Sequence, residues 1–386
     1  MLKQLSGHQA GIAGTRILFC VPGVDEDSGG PSRSVMHTGS ELLKFGADVS
    51  VLFFESGKKH YQLHQSNAAH PTMYSITQSI GLLNAIRAIF EDFKPDIVHV
   101  HGIWTWLNHL CCLESFRREI PYIISPRGML EPWSLEQKKW KKRLGLWIYQ
   151  SRDLERASVI HCTSELEQKN LQSFNSRLSS FVVPNGTTIP VLTDSLITDS
   201  LRPKTIKRLL FLSRLHPKKG IPLLLEAWNA IRPSGWECII CGPDCDGHRR
   251  VIERMIASLG LSDSCKVIDA VEGEEKANLF RSADLFILPS HSESFGNVVA
   301  EAMSYGIPVI TTTATPWSVL NEERCGWCVD GDGKSITLAL RTAIQLPSDQ
   351  LRAIGLRGHE IAKKQFSWSS SAEDLALAYL TNNVSK

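Results

Sequence analysis

The sequence predicts an α/β protein built as two Rossmann-like, doubly wound domains that face each other across a cleft. Three observations lead there. Short runs of apolar, mostly branched residues recur along the chain, separated by longer stretches of helical character. That alternation pauses once, between Gly186 and Lys207. The 386 residues are more than one hydrophobic core normally serves, and they suit two cores of roughly 200 residues each.

The strands expected from these runs are, in order, Ile17–Val21, Val49–Phe54, Ile97–Val100, Tyr122–Ile124, Val159–His161 and Phe181–Val183. After the pause come Leu209–Leu212, Cys238–Cys241, Lys266–Ile268, Leu285–Leu288 and Pro308–Thr311. Continuous apolar runs alternating with helices point to parallel sheets covered on both faces. The pause contains Thr187, Thr188, Ile189, Pro190 and a polar run with neither helical nor strand period, which marks a linker. The expected division is an N-terminal domain over 1–190, a linker over 191–206, a C-terminal domain over 207–365, and a last helix over 366–386 packing back on the N-terminal domain. In doubly wound sheets, ligands bind outside the carboxyl ends of the strands.

Composition narrows the function classes. With 42% hydrophobic and 21% charged residues the chain is neither disordered nor membrane-spanning, and 42 basic against 40 acidic residues give no overall charge for holding nucleic acid. The apolar run at Ile17–Val21 is far shorter than the roughly 20 residues of a bilayer span, and the N-terminus lacks a signal-peptide layout. Ten scattered cysteines then read as reduced thiols. A cytoplasmic protein is expected.

Three segments carry chemistry. Behind the first strand, Gly29 and Gly30 open a helix running to about Phe45; paired glycines admit a ligand close to the backbone, and the N–H groups of a helix start attract phosphate. In the second half, Arg214 and Lys219 lie between a strand and a helix, where a forked guanidinium and a mobile ammonium could neutralise a phosphate from two sides. The most specific segment runs from Leu288 to Met303: a strand end, a loop carrying Glu293, and a helix from about Gly296 that places Glu301 one turn in. Two carboxylates able to accept from sugar or ribose hydroxyls thus flank the free amides of a helix start.

With these residues the chain resembles the retaining glycosyltransferases called group 1 or family 4, which have the two-domain GT-B fold. The resemblance also rests on Asp96–Gly102, Pro126–Leu130, Val183–Gly186 and Ala283–Ser290. It implies a nucleotide-diphosphate sugar as donor. Gly29 and Gly30 would approach its diphosphate, with Arg214 and Lys219 neutralising the charge. Glu293 would hold sugar hydroxyls, the stretch Ser294, Phe295, Gly296, Asn297 and Val298 would offer backbone amides, and Glu301 would bind the ribose. His101 would face donor sugar and acceptor, and Arg127 an acceptor phosphate. The family uses UDP- and GDP-sugars, with UDP weakly favoured here, and its acceptors include glycans and polyprenyl-linked glycans of bacterial surface polysaccharides. No metal or other cofactor is expected: Asp25–Asp27, Asp244–Asp246 and Asp330–Asp332 resemble metal-holding triplets but sit in Gly-rich turns, where Asp is common for turn-forming reasons, and the cysteine clusters Cys238/Cys241/Cys245 and Cys325/Cys328 lack a second pair of zinc ligands.

Two rivals share the fold: a catalytically silent partner subunit that binds nucleotide sugar, and a sugar-nucleotide epimerase. Finally, Trp133, Trp140 and Trp147 recur every seven residues in a basic stretch ending at Tyr149, and the spacing predicts one helix with the tryptophans, Leu144 and Ile148 on a single face. Such a helix could rest on an anionic membrane at the inner face of the plasma membrane, with Lys138, Lys139, Lys141, Lys142 and Arg143 on its flanks. The alternative is a stripe packed into the N-terminal domain beneath solvated lysines.

Overall fold

The computed structural model describes residues 11–24, 30–55, 70–77, 81–192 and 206–382. The chain folds as two compact units. One runs to Gly186 and takes the chain up again from Trp368; the other is Thr187–Ser367.

The first unit holds seven parallel strands: β1 (Arg16–Val21), β2 (Asp48–Phe54), β3 (Thr72–Ile76), β4 (Ile97–His101), β5 (Tyr122–Ser125), β6 (Val159–Cys162) and β7 (Ser180–Val182), in the order β3-β2-β1-β4-β5-β6-β7. The two-residue period of a strand explains the double layer. Ile17, Phe19 and Val21 of β1 join a core that includes Val35 and Leu42 of the helix Gly30–Lys44, and Leu375 and Tyr379 of the last helix, Trp368–Thr381. Leu18 and Cys20 join the opposite core, with Ile86, Phe90, Leu107 and Cys111. The helix after β1 and the helix after β4, Trp106–Arg117, therefore cover opposite faces. Their strands are neighbours, so the chain direction switches there and leaves a crevice at the strands' carboxyl ends.

The second unit holds β8 (Lys207–Leu212), β9 (Trp236–Cys241), β10 (Cys265–Ile268), β11 (Leu285–Leu288), β12 (Val309–Thr312) and β13 (Gly326–Val329), all parallel, in the order β10-β9-β8-β11-β12-β13. Its switch point lies between β8 and β11. Unlike the expected boundary at 190, Thr187 already belongs here: its N–H donates to the Phe366 carbonyl at 2.6 Å, and Ile189 packs on the second core. The last helix begins at Trp368, against the expected 366, and most of the expected linker lies outside the described residues.

Two strands, β3 and β13, were not expected. Both are edge strands with a single neighbour. Three of the five residues of β3 are exposed, so nothing demands an apolar run. β13 opens on Gly326, where a Cβ would come within 2.5 Å of the Val309 carbonyl oxygen.

Candidate functional site

In the second unit the chemistry gathers where the switch point predicts it. The loop after β8 makes a short turn of 3-10 helix, Pro217–Lys219, capped by His216, whose Nδ1 accepts from the Lys218 N–H. Gly220 ends it at φ 67°, and a Cβ there would lie 1.9 Å from the Pro289 carbonyl oxygen. Only glycine fits so close an approach. A 2.8 Å hydrogen bond from the His291 N–H to the Lys218 carbonyl ties the same two loops together.

This approach delivers Lys219 to Glu293. Nζ lies 2.5 Å from Oε1, with the two side chains 9% and 10% exposed, and Ser290 Oγ donates to the same oxygen at 2.7 Å. Burial works to raise the Glu293 pKa; the Lys219 ammonium and the Ser290 hydroxyl overcome it and hold the carboxyl below its ordinary value. The pair is fixed in one geometry inside a low-dielectric pocket, which strengthens any charge it offers a ligand.

The helix Asn297–Ser304 starts beside Glu293. Gly296, at φ 81°, is its N-cap and brings no side-chain cap of its own, so the positive end of the helix lies at the loop that carries Glu293. The Phe295 ring is buried against Trp317 and Phe366, and its carbonyl accepts from Trp317 Nε1 at 2.6 Å; Phe295 anchors the loop, and only its backbone is available to a ligand. Glu301 is held by Lys276 at 2.6 Å. Lys276 was not foreseen: it sits on the helix Gly273–Ser282, and only the fold brings it to Glu301. Arg214 is exposed at the loop's start. Gly30 begins its helix, Gly29 lies outside the described residues, and of the Asp triplets Asp25–Asp27 does too. Asp332 caps the helix Gly333–Gln345, and Asp244 accepts from the Arg249 N–H, so those aspartates act in turns.

In the first unit His101 ends β4, buried, with its Nδ1 2.8 Å from an Arg127 nitrogen. Arg127 has φ 55° and its other arm donates to Asn185 Oδ1. Arg127 was expected at an acceptor phosphate; its guanidinium turns into the unit, onto His101 and Asn185. Glu167 makes the turn possible: one oxygen accepts from the Gly128 N–H at 2.6 Å, and the other from the N–H and hydroxyl of Thr163, both at 2.7 Å.

The expected single helix over Trp133–Tyr149 is two pieces, Pro132–Glu136 and a helix from Lys139 that widens without a break into a π-helical turn at Leu146–Gln150. Lys138 at φ 50° breaks it. The stripe does not pack inward either. Trp140 is 68% and Trp147 78% exposed, with Leu144 and Ile148 beside them. Gly145 lies under Trp104 and Tyr149 stacks on Trp106, so the segment docks through its opposite face.

Two parallel sheets of the nucleotide-binding order, each with its polar residues at the carboxyl edge, define a two-domain Rossmann-like protein. Comparison with known families agrees. A model described as glycosyl transferases group 1 matches residues 194–355, and one described as glycosyltransferase family 4 matches residues 28–189. The chain belongs to the group 1/family 4 glycosyltransferases, the GT-B class. It is similar to the D-inositol 3-phosphate glycosyltransferase of Salinispora tropica, 31% identical over 180 residues, which are 44% of this chain and 37% of that relative. The match thus spans well under half of that relative's length. The enzyme of the same name from Xylanimonas cellulosilytica is 29% identical over 398 residues, 92% of each chain. Among solved structures, Anabaena HepE in complex with UDP and glucose superposes with a TM-score of 0.74 at 19% identity, covering 95% of this chain and 100% of that one.

Proposed function

We propose that this protein is a retaining, metal-independent glycosyltransferase that moves a sugar from a nucleotide-diphosphate donor, UDP in preference to GDP, to a glycan or polyprenyl-linked acceptor of a bacterial surface polysaccharide. The buried Lys219–Glu293 pair beside a helix start with glycine at its N-cap carries this reading. Relatives named as inositol phosphate glycosyltransferases support the class of reaction, and a structural neighbour holding UDP and glucose supports the class of donor.

Chemistry follows from charge. As the bond from the anomeric carbon to the leaving phosphate oxygen breaks, negative charge grows on the diphosphate. Lys219, Arg214 and the start of the helix Asn297–Ser304 stabilise it, and fixed charges of this kind usually contribute more to the rate than any other single effect. Glu293 orients sugar hydroxyls and Glu301 the ribose. The acceptor oxygen forms the new bond on the same face, and its proton passes to the leaving phosphate oxygen, so no strong protein base is needed.

The protein works in the cytoplasm, peripheral to the membrane. The tryptophans exposed among the described residues are Trp106, Trp140 and Trp147, and lysines accompany the last two. An apolar cluster of this kind ringed by cations suits the interface of an anionic bilayer, where a polyprenyl-linked acceptor resides.

Product analysis with UDP- and GDP-sugars and a polyprenyl-diphosphate glycan acceptor, with and without EDTA, tests the reading. Glycan of retained anomeric configuration, unaffected by EDTA, is expected. Binding without turnover would make the chain a silent partner subunit, and an epimerised nucleotide sugar an epimerase.

A further inference from the structure

Three histidines, His99, His101 and His161, lie side by side inside the first unit, and their hydrogen-bond partners reveal which nitrogen of each carries the proton. The Val183 carbonyl can only accept, so at 2.8 Å it takes a hydrogen from His161 Nε2. Burial and the neighbouring Arg127 push the His161 pKa down to about 3. The ring is neutral, and its Nδ1 accepts from the Ser125 hydroxyl at 2.8 Å. With that proton spent, Ser125 Oγ accepts from His99 Nε2 at 2.8 Å. His99 Nδ1 is left to accept from the Tyr379 hydroxyl at 2.6 Å. The relay runs from the last helix to the end of β7 with every link satisfied.

His101 stands outside it. Its ring stacks on His99 with centroids 4.2 Å apart, and its Nδ1 faces the Arg127 N–H at 2.8 Å. A guanidinium donates and never accepts, so Nδ1 is the lone pair and the proton of the neutral ring sits on Nε2. A doubly protonated ring would set two N–H groups against each other. His101 Nε2 is buried with no hydrogen-bond partner among the described residues. An unspent buried donor costs about 1–3 kcal/mol, and a ligand oxygen would recover that loss.

We infer that Arg127, positioned by Asn185 and Glu167, locks His101 as its Nε2–H tautomer, so that His101 serves sugar transfer as a hydrogen-bond donor to a substrate oxygen and not as a general base. The tautomer rests on this chain's own contacts; the substrate oxygen rests on the transferase reading above. Arg127 is a positioning residue here. Among the described residues, the charged and titratable groups facing His101 and its clamp are Arg127, His99, His161, Glu167 and Tyr379, and none of these offers a proton acceptor to Nε2.

Nitrogen-15 histidine spectra of the full chain test the lock, with His101 assigned by its loss in His101→Gln. Protonated Nε2, bare Nδ1 and no titration between about pH 5 and about pH 8 are expected. A protonated Nδ1, or an imidazolium in that range, overturns the inference. Arg127→Lys keeps a donor and should keep the tautomer, whereas Arg127→Met should give mixed tautomers; an unchanged His101 in a folded Arg127→Met protein also overturns it. Turnover tests the role. Glutamine carries an amide donor near the Nε2 position and glutamate only an acceptor, so kcat for His101→Gln should exceed that for His101→Glu by about tenfold. The reverse order means a general base. Absence of turnover in the wild type removes the transferase reading, and the donor role with it, while the spectra still decide the tautomer.

Discussion

Lys219 and Glu293, 74 residues apart, form one buried unit, with Nζ 2.5 Å from Oε1 and Ser290 completing it. Residue types alone assign them separate jobs, phosphate for the lysine and sugar for the glutamate. Because they are buried together, each holds the other's charge in place. Removing one leaves the other uncompensated, which costs about 3–5 kcal/mol, whereas replacing both by apolar residues costs less. Lys219→Met should therefore lower the urea midpoint more than Lys219→Met combined with Glu293→Leu, and both should abolish transfer. Equal midpoints would mean that the pair adds nothing to the fold.

The same pair sets an acid limit. The folded pKa of Glu293 lies below its ordinary value, so the unfolded chain takes up the proton first. The stabilisation is present above the unfolded pKa of about 4.3 and drains as pH falls toward the folded one. Urea titrations should show wild-type stability falling more steeply than that of Glu293→Gln below about pH 4.3.

A second pH effect lies in the first unit and at higher pH. His99 and His101 are pushed well below the ordinary histidine value, first by burial, and His161 to about 3. All three are neutral when folded and ionise near pH 6.5 when unfolded. The unfolded state binds more protons, so stability should fall as pH drops from about 7 to about 5, with about three protons taken up at these rings on unfolding and about one more at His37, which burial lowers to about 4 in the fold. Calorimetry in buffers of different ionisation enthalpy counts those protons. An uptake of about one would mean that the three rings are charged in the fold, against the relay and against the lock on His101.

What the sequence reveals, and what it hides, follows from burial. Strands covered on both faces, such as β1 and β11, must be apolar nearly along their length and announce themselves. β3 escapes because, at the sheet edge, most of its residues meet water. Glu293 and Glu301 are legible because a strand end, a loop and a helix start are local features. Their partners are not. Lys276 reaches Glu301 from another helix, and Asn185 and Glu167 reach the Arg127 turn from segments more than 35 residues away. Lys138, one lysine among several, gives no sign of the left-handed φ that breaks the basic helix.

Lys276 also invites a test. It pairs with Glu301 at 2.6 Å, with the two side chains 16% and 25% exposed, and partly solvated pairs are worth about 0–1 kcal/mol. A ribose can displace the ammonium at little cost. Calorimetric titration with UDP should show Glu301→Gln weakened about tenfold and Lys276→Met about threefold or less. Equal losses would make Lys276 itself a nucleotide contact.

The exposed tryptophans offer a test of where the protein works. Trp140, Leu144, Trp147 and Ile148 face solvent while Gly145 and Tyr149 dock the segment, an arrangement that spends apolar surface on water unless something covers it. The cations around it are not equivalent. Lys142 is turned toward Ser134, whereas Lys139 holds only an exposed pair with Glu136 that it can leave, so Lys138, Lys139, Lys141 and Arg143 are the side chains left to meet anionic headgroups. The two contributions separate by salt: the charged part is screened over a Debye length of about 8 Å at physiological ionic strength, and the apolar part is not. In sedimentation with phosphatidylglycerol vesicles, changing those four cations to Ser should abolish the salt-sensitive part of binding. Trp140→Ser with Trp147→Ser should leave weak binding that disappears above about 0.5 M salt. Since the tryptophans are exposed, neither set should shift the melting temperature. If both bind vesicles like the wild type, this face is not the membrane surface; if the wild type itself does not bind, the acceptor is met in solution.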